Sequence, residues 1–535
     1  MKRNLLTIAC HCFLFASSAL FVSSCKKDET PTAAPRIFKP SEIKVVASES
    51  SAWLSWKAPL FTGDNPYSYT VDFSTDSLFS TTEFSGKTDS AGFTVKEGEL
   101  KLRLKYFARI KANATATQPE SKYMLSSGFK IVGKQLFRAD KITVRDNSVD
   151  LGFLEVPAGS KIVLTPETGT AITVTLGTAD LAKKSVTIPG LMASTKYTAE
   201  LFSGTSSNGY LTFTTSAPVV YTVKITPADN LAGIIATAAD NAVIGLEDGT
   251  YELPALVNLA GKMITLRSVN DNPEKVKVNG KGFTLTGTGA GLSFSGINFD
   301  GTAYSSLYFC DLISSGTGVA STFKNVRFEN SWIHGISTAI VRADRNTLFV
   351  MNELEINRCK IYDISGTSYY LFHLDKLAFK SLKITKSTIY NSSPGLVNCK
   401  TTMAGAAPEV SISECSINNI GFAGMYTLII AAANPVTFSM KNSIIANAPR
   451  SGTVAGLTSI TSGASVTTFE YNNTFNLKTS NTNGTDLPLP AGAKLGQTVD
   501  PGWNANTTQF TLPAGSVLLK SNSSGGQVGD PRWAL

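Results

Sequence analysis

Five segments of this chain start 28 residues apart, at 326, 354, 382, 410 and 438, and share one pattern. Val326-Arg327-Phe328 is followed by Ser331 and Ile333, and Leu354-Glu355-Ile356 by Cys359 and Ile361. Leu382-Lys383-Ile384 leads to Ser387 and Ile389, Val410-Ser411-Ile412 to Cys415 and Ile417, and Phe438-Ser439-Met440 to Ser443 and Ile445. A unit of this length, holding a short strand, a bend and a second short strand, buries its alternate residues only when like units lie above and below it. The register therefore predicts a parallel β-helix, with Ile356, Ile384, Ile412 and Met440 in one inward column and the Ser or Cys in a second. Looser flanking copies are read at Ile297-Asn298-Phe299 and Phe469-Glu470-Tyr471. Asp363, Asn391, Asn419 and Asn447 recur two residues after the last apolar position. Asx residues tolerate left-handed backbone, which places them at a bend. Cys359 and Cys415 fall two rungs apart, roughly 9.6 Å at the strand spacing, too far for a disulfide.

Upstream the spacing is that of short β-strands in sandwiches. Ile43 to Val46, Trp53 to Trp56, Tyr67 to Phe73, Thr94 to Val95 and Tyr106 to Ala112 alternate apolar and polar residues. Residues 40–133 resemble a fibronectin type III domain, with Trp56 in the place of its early core tryptophan and Leu100 to Tyr106 resembling its tyrosine corner. Residues 134–217 repeat the order through Val149-Asp150-Leu151, Ile188-Pro189-Gly190-Leu191 and Tyr197 to Leu201, without the tryptophan. Both domains are expected to act as spacers.

The N-terminus is basic at Lys2 and Arg3, then apolar from Leu5 to Val22, interrupted by His11, Ser17 and Ser18. That is a secretory signal in outline. It ends in Val22-Ser23-Ser24-Cys25, which resembles a bacterial lipobox, so residues 1–24 read as signal peptide and Cys25 as the lipidation site. A plain transmembrane anchor would need about 20 unbroken apolar residues. Residues 25–39 read as a tether. Within it, Lys27-Asp28-Glu29 resembles a surface-export signal of lipoproteins in glycan-degrading Gram-negative bacteria, which implies an outer-membrane lipoprotein facing the cell exterior.

The net charge of +8 is mild and spread along the chain, so no nucleic-acid partner is expected, and the chain is expected to act as a monomer. Beyond the signal only His334 and His373 remain, and Cys310, Cys359, Cys399 and Cys415 lack metal-ligand spacing. No metal site is expected.

Residues 218–535 resemble the right-handed β-helices of the pectate-lyase-like superfamily, in the form found in surface lipoproteins of glycan-utilising bacteria. The resemblance rests on the repeat, on the opening Ala242 to Tyr251, and on the closing Gly525-Gly526-Gln527-Val528-Gly529-Asp530-Pro531-Arg532-Trp533. The expected fold is all-β: two N-terminal fibronectin III-like β-sandwiches followed by a right-handed parallel β-helix.

That resemblance implies a polysaccharide partner, possibly acidic, and leaves the activity open. Lyases on this scaffold need a Lys or Arg base and often Ca²⁺ held by carboxylates, and no such cluster recurs at rung spacing. The expected function is polysaccharide binding by a cell-surface lipoprotein of a glycan-utilisation system. The alternatives are a lyase or hydrolase acting on an acidic glycan, with Ca²⁺ as the cofactor of a lyase, and a structural adhesin or spacer. Candidate ligand-binding residues gather in the longer segments between rungs: His334, Arg342, Asp344, Arg345, Tyr369, Tyr370, His373 and Asp375. Tyr362, Phe372 and Tyr390 are further candidates for stacking on sugars.

If Cys25 carries the lipid, Cys25→Ala removes the only attachment site. The variant is expected in the soluble fraction after a salt wash of membranes, and a variant that still pellets would refute the lipoprotein reading.

Overall fold

The computed structural model describes residues 35–60 and 67–533, without the side chains of Ala139 and Asp140; Cys25 and the signal lie outside the described residues. The chain forms two compact units. One runs to Phe137 and includes Leu154–Lys184 and Lys196–Phe213; the other comprises Arg138–Phe153, Ser185–Thr195 and everything from Thr214.

In the first unit, alternation along the strands sets the core. Within β2 (Ser51–Lys57) Ala52, Leu54 and Trp56 are buried and their neighbours are not. With β1 (Ser41–Ala47), β3 (Tyr69–Ser74), β4 (Phe84–Thr88), β5 (Gly92–Lys96), β6 (Phe107–Ala112) and β7 (Met124–Leu125), the sheet orders are β1-β2-β5 and β4-β3-β6-β7, those of a fibronectin type III sandwich. Trp56 meets Tyr69 edge-on at 5.2 Å. The Tyr106 hydroxyl accepts the Lys101 N–H at 3.1 Å, closing the tyrosine corner. The next strands in the chain are β8 (Phe137–Val144), β9 (Ser148–Phe153), β10 (Lys161–Pro166), β11 (Ile172–Thr175), β12 (Ser185–Pro189), β13 (Lys196–Ser203) and β14 (Ser206–Thr214), of which β9, β12 and β8 from Arg138 onward belong to the second unit. They repeat the same orders, as β12-β9-β8 and β11-β10-β13-β14.

From Val223 the second unit is a parallel solenoid with three strands per rung, not two. The strands stack into sheets of eleven, nine and eight members, here called the first, second and third sheets. Pairing holds the predicted column: Phe328, Ile356, Ile384, Ile412 and Met440 are consecutive partners in the first sheet, all buried. The two flanking copies are corrected. The partner of Phe328 is Phe294, five residues before Phe299, and Phe299 belongs to the second sheet opposite Ile333. At the other end Met440 pairs with Phe469, so the copy there is Thr467-Thr468-Phe469.

The Ser and Cys positions form a hydrogen-bonded ladder at the bend between the first two sheets. The Cys359 N–H donates to Ser387 Oγ at 3.0 Å, Cys415 N–H to Ser443 Oγ at 3.1 Å, and Ser443 N–H to Asn472 Oδ1 at 3.0 Å. The thiols of Cys359 and Cys415 donate to the carbonyls of Asn357 and Ser413. All four described cysteines are free and buried, and burial pushes the Cys359, Cys399 and Cys415 thiols up to about 12. The Asx bend is left-handed as expected, with φ of 51° to 55° at Asp363, Asn391, Asn419 and Asn447.

Solenoids need closed ends and a managed surface. Helix Leu231–Thr237 buries Leu231 and Ile235 against the first rungs. The closing segment predicted from its signature lies across the outer face of the second sheet, where Trp503, Phe510, Leu512, Leu518, Val528 and Trp533 bury Tyr390, Ile444 and Ala446. Buried Asp530 accepts the Thr388 hydroxyl at 2.6 Å, and Arg532 donates to the carbonyls of Arg358 and Cys359. Between Leu382 and Asn447 the outer face of the first sheet is therefore a solvated wall, at Lys383, Ser411 and Ser439, while that of the second sheet is covered. Among the described residues no helix is long and apolar enough to cross a membrane.

Because Ile384 sits in mid-column with no exposure, Ile384→Ala should cost about 2–5 kcal/mol. Urea unfolding followed by far-UV circular dichroism measures it; a loss under about 1 kcal/mol would mean the rungs do not pack as described.

Candidate functional site

Successive side chains along a strand point to opposite faces. Cys310, Val341, Phe372 and Val397 enter the core, so Asp311, Arg342, His373 and Asn398 project to the other side. These four are successive partners across rungs, one polar column that brings Arg342 and His373 onto neighbouring strands.

Around Arg342 the column gains an aromatic frame. Its guanidinium lies 5.0 Å from the ring centroids of both Tyr308 and Tyr369, whose planes meet at 89°. Nη1 donates to the Tyr308 hydroxyl at 3.2 Å and Nη2 to the Tyr369 hydroxyl at 3.3 Å. Nε donates to Asp344 Oδ1 at 2.7 Å. Arg345, half exposed, pairs with Asp311 at 2.9 Å. Burial raises the Asp311 carboxyl above its ordinary range, and Arg345 only partly offsets this.

His373 closes the frame against Tyr369, edge to face at 4.6 Å. Its Nδ1 accepts the Tyr370 N–H at 3.2 Å, so a neutral ring carries its proton on Nε2, which faces Asp344 at 3.8 Å. Burial pushes the His373 pKa down, against the opposing pull of Asp344.

The remaining candidates are placed elsewhere. Tyr370 is buried, its hydroxyl accepting the Tyr426 N–H at 3.0 Å, and Phe372 is core. Asp375 accepts from both the N–H and the hydroxyl of Thr401, fixing a loop. His334 stands on the second sheet, stacked on Tyr362 at 4.5 Å, which stacks on Tyr390 at 5.0 Å. That stack ends against Phe510 of the closing segment, so Tyr390 offers no free face. Burial lowers the His334 pKa as well. For its neighbour Asp300 burial acts upward, but bonds from Thr302 and Lys277 outweigh it and hold the carboxyl at about 2.

Tyr308, Asp311 and Asn398 were not foreseen. Their signal was positional, since each stands on a third-sheet strand beside Arg342 or His373, and that strand was not recognised. A mostly apolar cavity of about 340 Å³ lies at the corner between the third and first sheets, lined by Val350, Phe379, Lys380, Met403, Pro408 and Pro435 among others. Among the described residues no three His, Cys, Asp or Glu side chains gather as a metal site.

Two protein-family models match the solenoid, both described as domains of unknown function: DUF4957 over residues 249–392 and DUF5123 over residues 410–533. The aromatic frame lies in the first span and the closing segment in the second. A search of curated proteins finds no match. Solved structures with a likeness to this chain include the FN1–FN3 domains of chicken CNTN1, at 14% identity over 34% of this chain and 68% of that one, with a TM-score of 0.16. A two-domain fibronectin type III segment from chicken tenascin matches at 15% identity over 34% of this chain and 99% of that one, with a TM-score of 0.17.

Both described histidines are depressed below 6.5, so below that pH the unfolded chain binds more protons than the folded one. Their contribution is complete above about pH 6.5 and is lost on acidification. The urea midpoint should fall between about pH 7.5 and 5.5, and His334→Gln with His373→Gln should flatten that fall. An equally steep fall in the double variant would assign it to other groups.

Proposed function

We propose that this chain is a lipid-anchored surface protein that binds polysaccharide on the outer face of the third sheet. One observation carries the reading: the half-buried Tyr308, Arg342 and Tyr369 assembly, held rigid on consecutive rungs. Aromatic rings stack on sugar faces, and their hydroxyls exchange hydrogen bonds with sugar hydroxyls. A site fixed on stacked strands loses little side-chain entropy when a ligand arrives. The anchor comes from the sequence alone, from the lipobox ending at Cys25. In that arrangement the fibronectin-like domains carry the solenoid away from the membrane, within a system that collects glycans.

A second reading, glycan hydrolysis, has one observation in its favour. Asp311 is a carboxyl with a raised pKa near a second carboxylate, Asp344, the kind of asymmetry that acid catalysis uses.

Affinity electrophoresis in gels containing single polysaccharides tests the first reading. Tyr369→Ala should weaken retention about tenfold, the scale of one lost stacking contact of about 1.4 kcal/mol. The melting temperature should drop by no more than a few degrees. Retention unchanged by Tyr369→Ala would place the site elsewhere. Glycan cleavage by the parent that Asp311→Asn abolishes would favour hydrolysis over binding.

A further inference from the structure

We infer that the glycan recognised at this face is a neutral polysaccharide rather than a uronate or sulfated one. The inference rests on the proposed binding site and adds the chemical class of its ligand.

Recognition of an acidic sugar by arginine needs the edge of the guanidinium fork, where two parallel N–H groups meet two oxygens. At Arg342 that edge is taken: Nε and Nη2 both face the Asp344 carboxylate, at 2.7 and 3.5 Å. The two terminal nitrogens also donate to the hydroxyls of Tyr308 and Tyr369, whose ring centroids each lie 5.0 Å from the guanidinium carbon. The side chain keeps 13% of its exposure and Asp344 17%. A uronate would have to displace a partly desolvated carboxylate to reach this arginine.

The other charges close in the same way. Arg345 is bound to Asp311. The charged groups acting on His373 are Asp344, Asp375, Arg342 and Lys400, two of each sign. The ring itself is buried, and burial pushes its pKa down. Lys376 adds one flexible cation a residue beyond Asp375, a weak and salt-screened term. What the frame leaves half-exposed is uncharged: two tyrosine rings with their hydroxyls. Those groups match the axial C–H faces and hydroxyls of a neutral pyranose.

The test uses the chain without its signal peptide, in affinity gels containing neutral galactomannan, xyloglucan, β-glucan or arabinan, or acidic polygalacturonate, alginate or chondroitin sulfate. The parent is expected to be retained by at least one neutral polymer, lose that retention with Tyr369→Ala, and keep it between about 20 and 500 mM NaCl, where screening removes exposed charge contacts. It should pass the acidic polymers unretarded at about 150 mM NaCl. Asp344→Asn, which preserves shape while releasing the Arg342 fork, should gain salt-sensitive retention on polygalacturonate by several fold. Thermal melting checks that this variant is folded; should it fail to fold, the salt profile and the polymer panel for the parent still decide. Parent retention on an acidic polymer that Tyr369→Ala or Arg342→Ala abolishes would overturn the neutral class while keeping the site. A folded Asp344→Asn variant with no gain on polygalacturonate would also overturn it. Retention by none of the polymers, or retention indifferent to Tyr369→Ala, would instead overturn the binding reading beneath it.

Discussion

Every part of the solenoid depends on one requirement: the backbone of each rung is hydrogen-bonded by the rung that follows. Where strands run straight, the parallel ladder meets this requirement. At the bends it is harder. The residue before each ladder Ser or Cys, namely Asn330, Arg358, Lys386, Glu414 and Asn442, has a positive φ of 43° to 54°. For Arg, Lys and Glu that conformation is strained, and it persists only where surroundings over-determine it. Here they do, because each of these N–H groups continues the ladder: Arg358 donates to Thr385, Lys386 to Ser413, and Glu414 to Lys441. The next N–H cannot reach a carbonyl and takes the small side chain of the following rung. Only a short group with both donor and acceptor character fits, which explains Ser, Cys and finally Asn472 in one column.

The same stacking that satisfies the backbone sorts the side chains into columns about 4.8 Å apart. At that spacing like charges repel and unlike neighbours attract. The outer columns follow this logic: Asp311 beside Arg342 on the third sheet, Asp300 beside His334 on the second, Arg327 beside Glu355 on the first. Aromatic neighbours stack, as His334, Tyr362 and Tyr390 do. An exposed stack of this kind would be an apolar stripe, and the closing segment removes it by laying Phe510 and Trp533 across its end, pinned through Asp530 and Arg532.

How much of this was legible follows from where the period holds. The first two sheets and the bend between them keep 28 residues, so the inward column, the Ser and Cys ladder and the Asx bend could be read from spacing. The third sheet does not keep it. Its column runs Asp311, Arg342, His373, Asn398 and Ile430, at intervals of 31, 31, 25 and 32 residues, because the connections on both sides change length from rung to rung. A search tuned to one period could not find that strand, nor Tyr308, Asp311 and Asn398 on it. The flanking copies failed for the same reason, since an inserted loop shifts the count while pairing stays in register. The left-handed Arg358, Lys386 and Glu414 were invisible for another cause: those residue types carry no preference for that backbone, and stacking alone imposes it.

Loss of period is also what leaves room for a site. A rung connection that must repeat is short and solvated, as on the first sheet, whose outer face at Lys383, Ser411 and Ser439 holds few groups that could grip a ligand. The second sheet is periodic too, and its outer face is spent on the closing segment from Tyr390 onward. Only the third sheet combines rigid parallel strands with connections free to vary, so Tyr369 arrives from an irregular segment while Tyr308, Arg342 and His373 are fixed by register. The rigid half sets position and the variable half supplies chemistry. Charge neutrality then follows from the geometry of a column, because a cation placed one rung from its neighbours is best stabilised by a carboxylate on the next rung or in the next loop. On this face both arginines have found theirs, which leaves the tyrosine rings as the groups still able to meet something from solution.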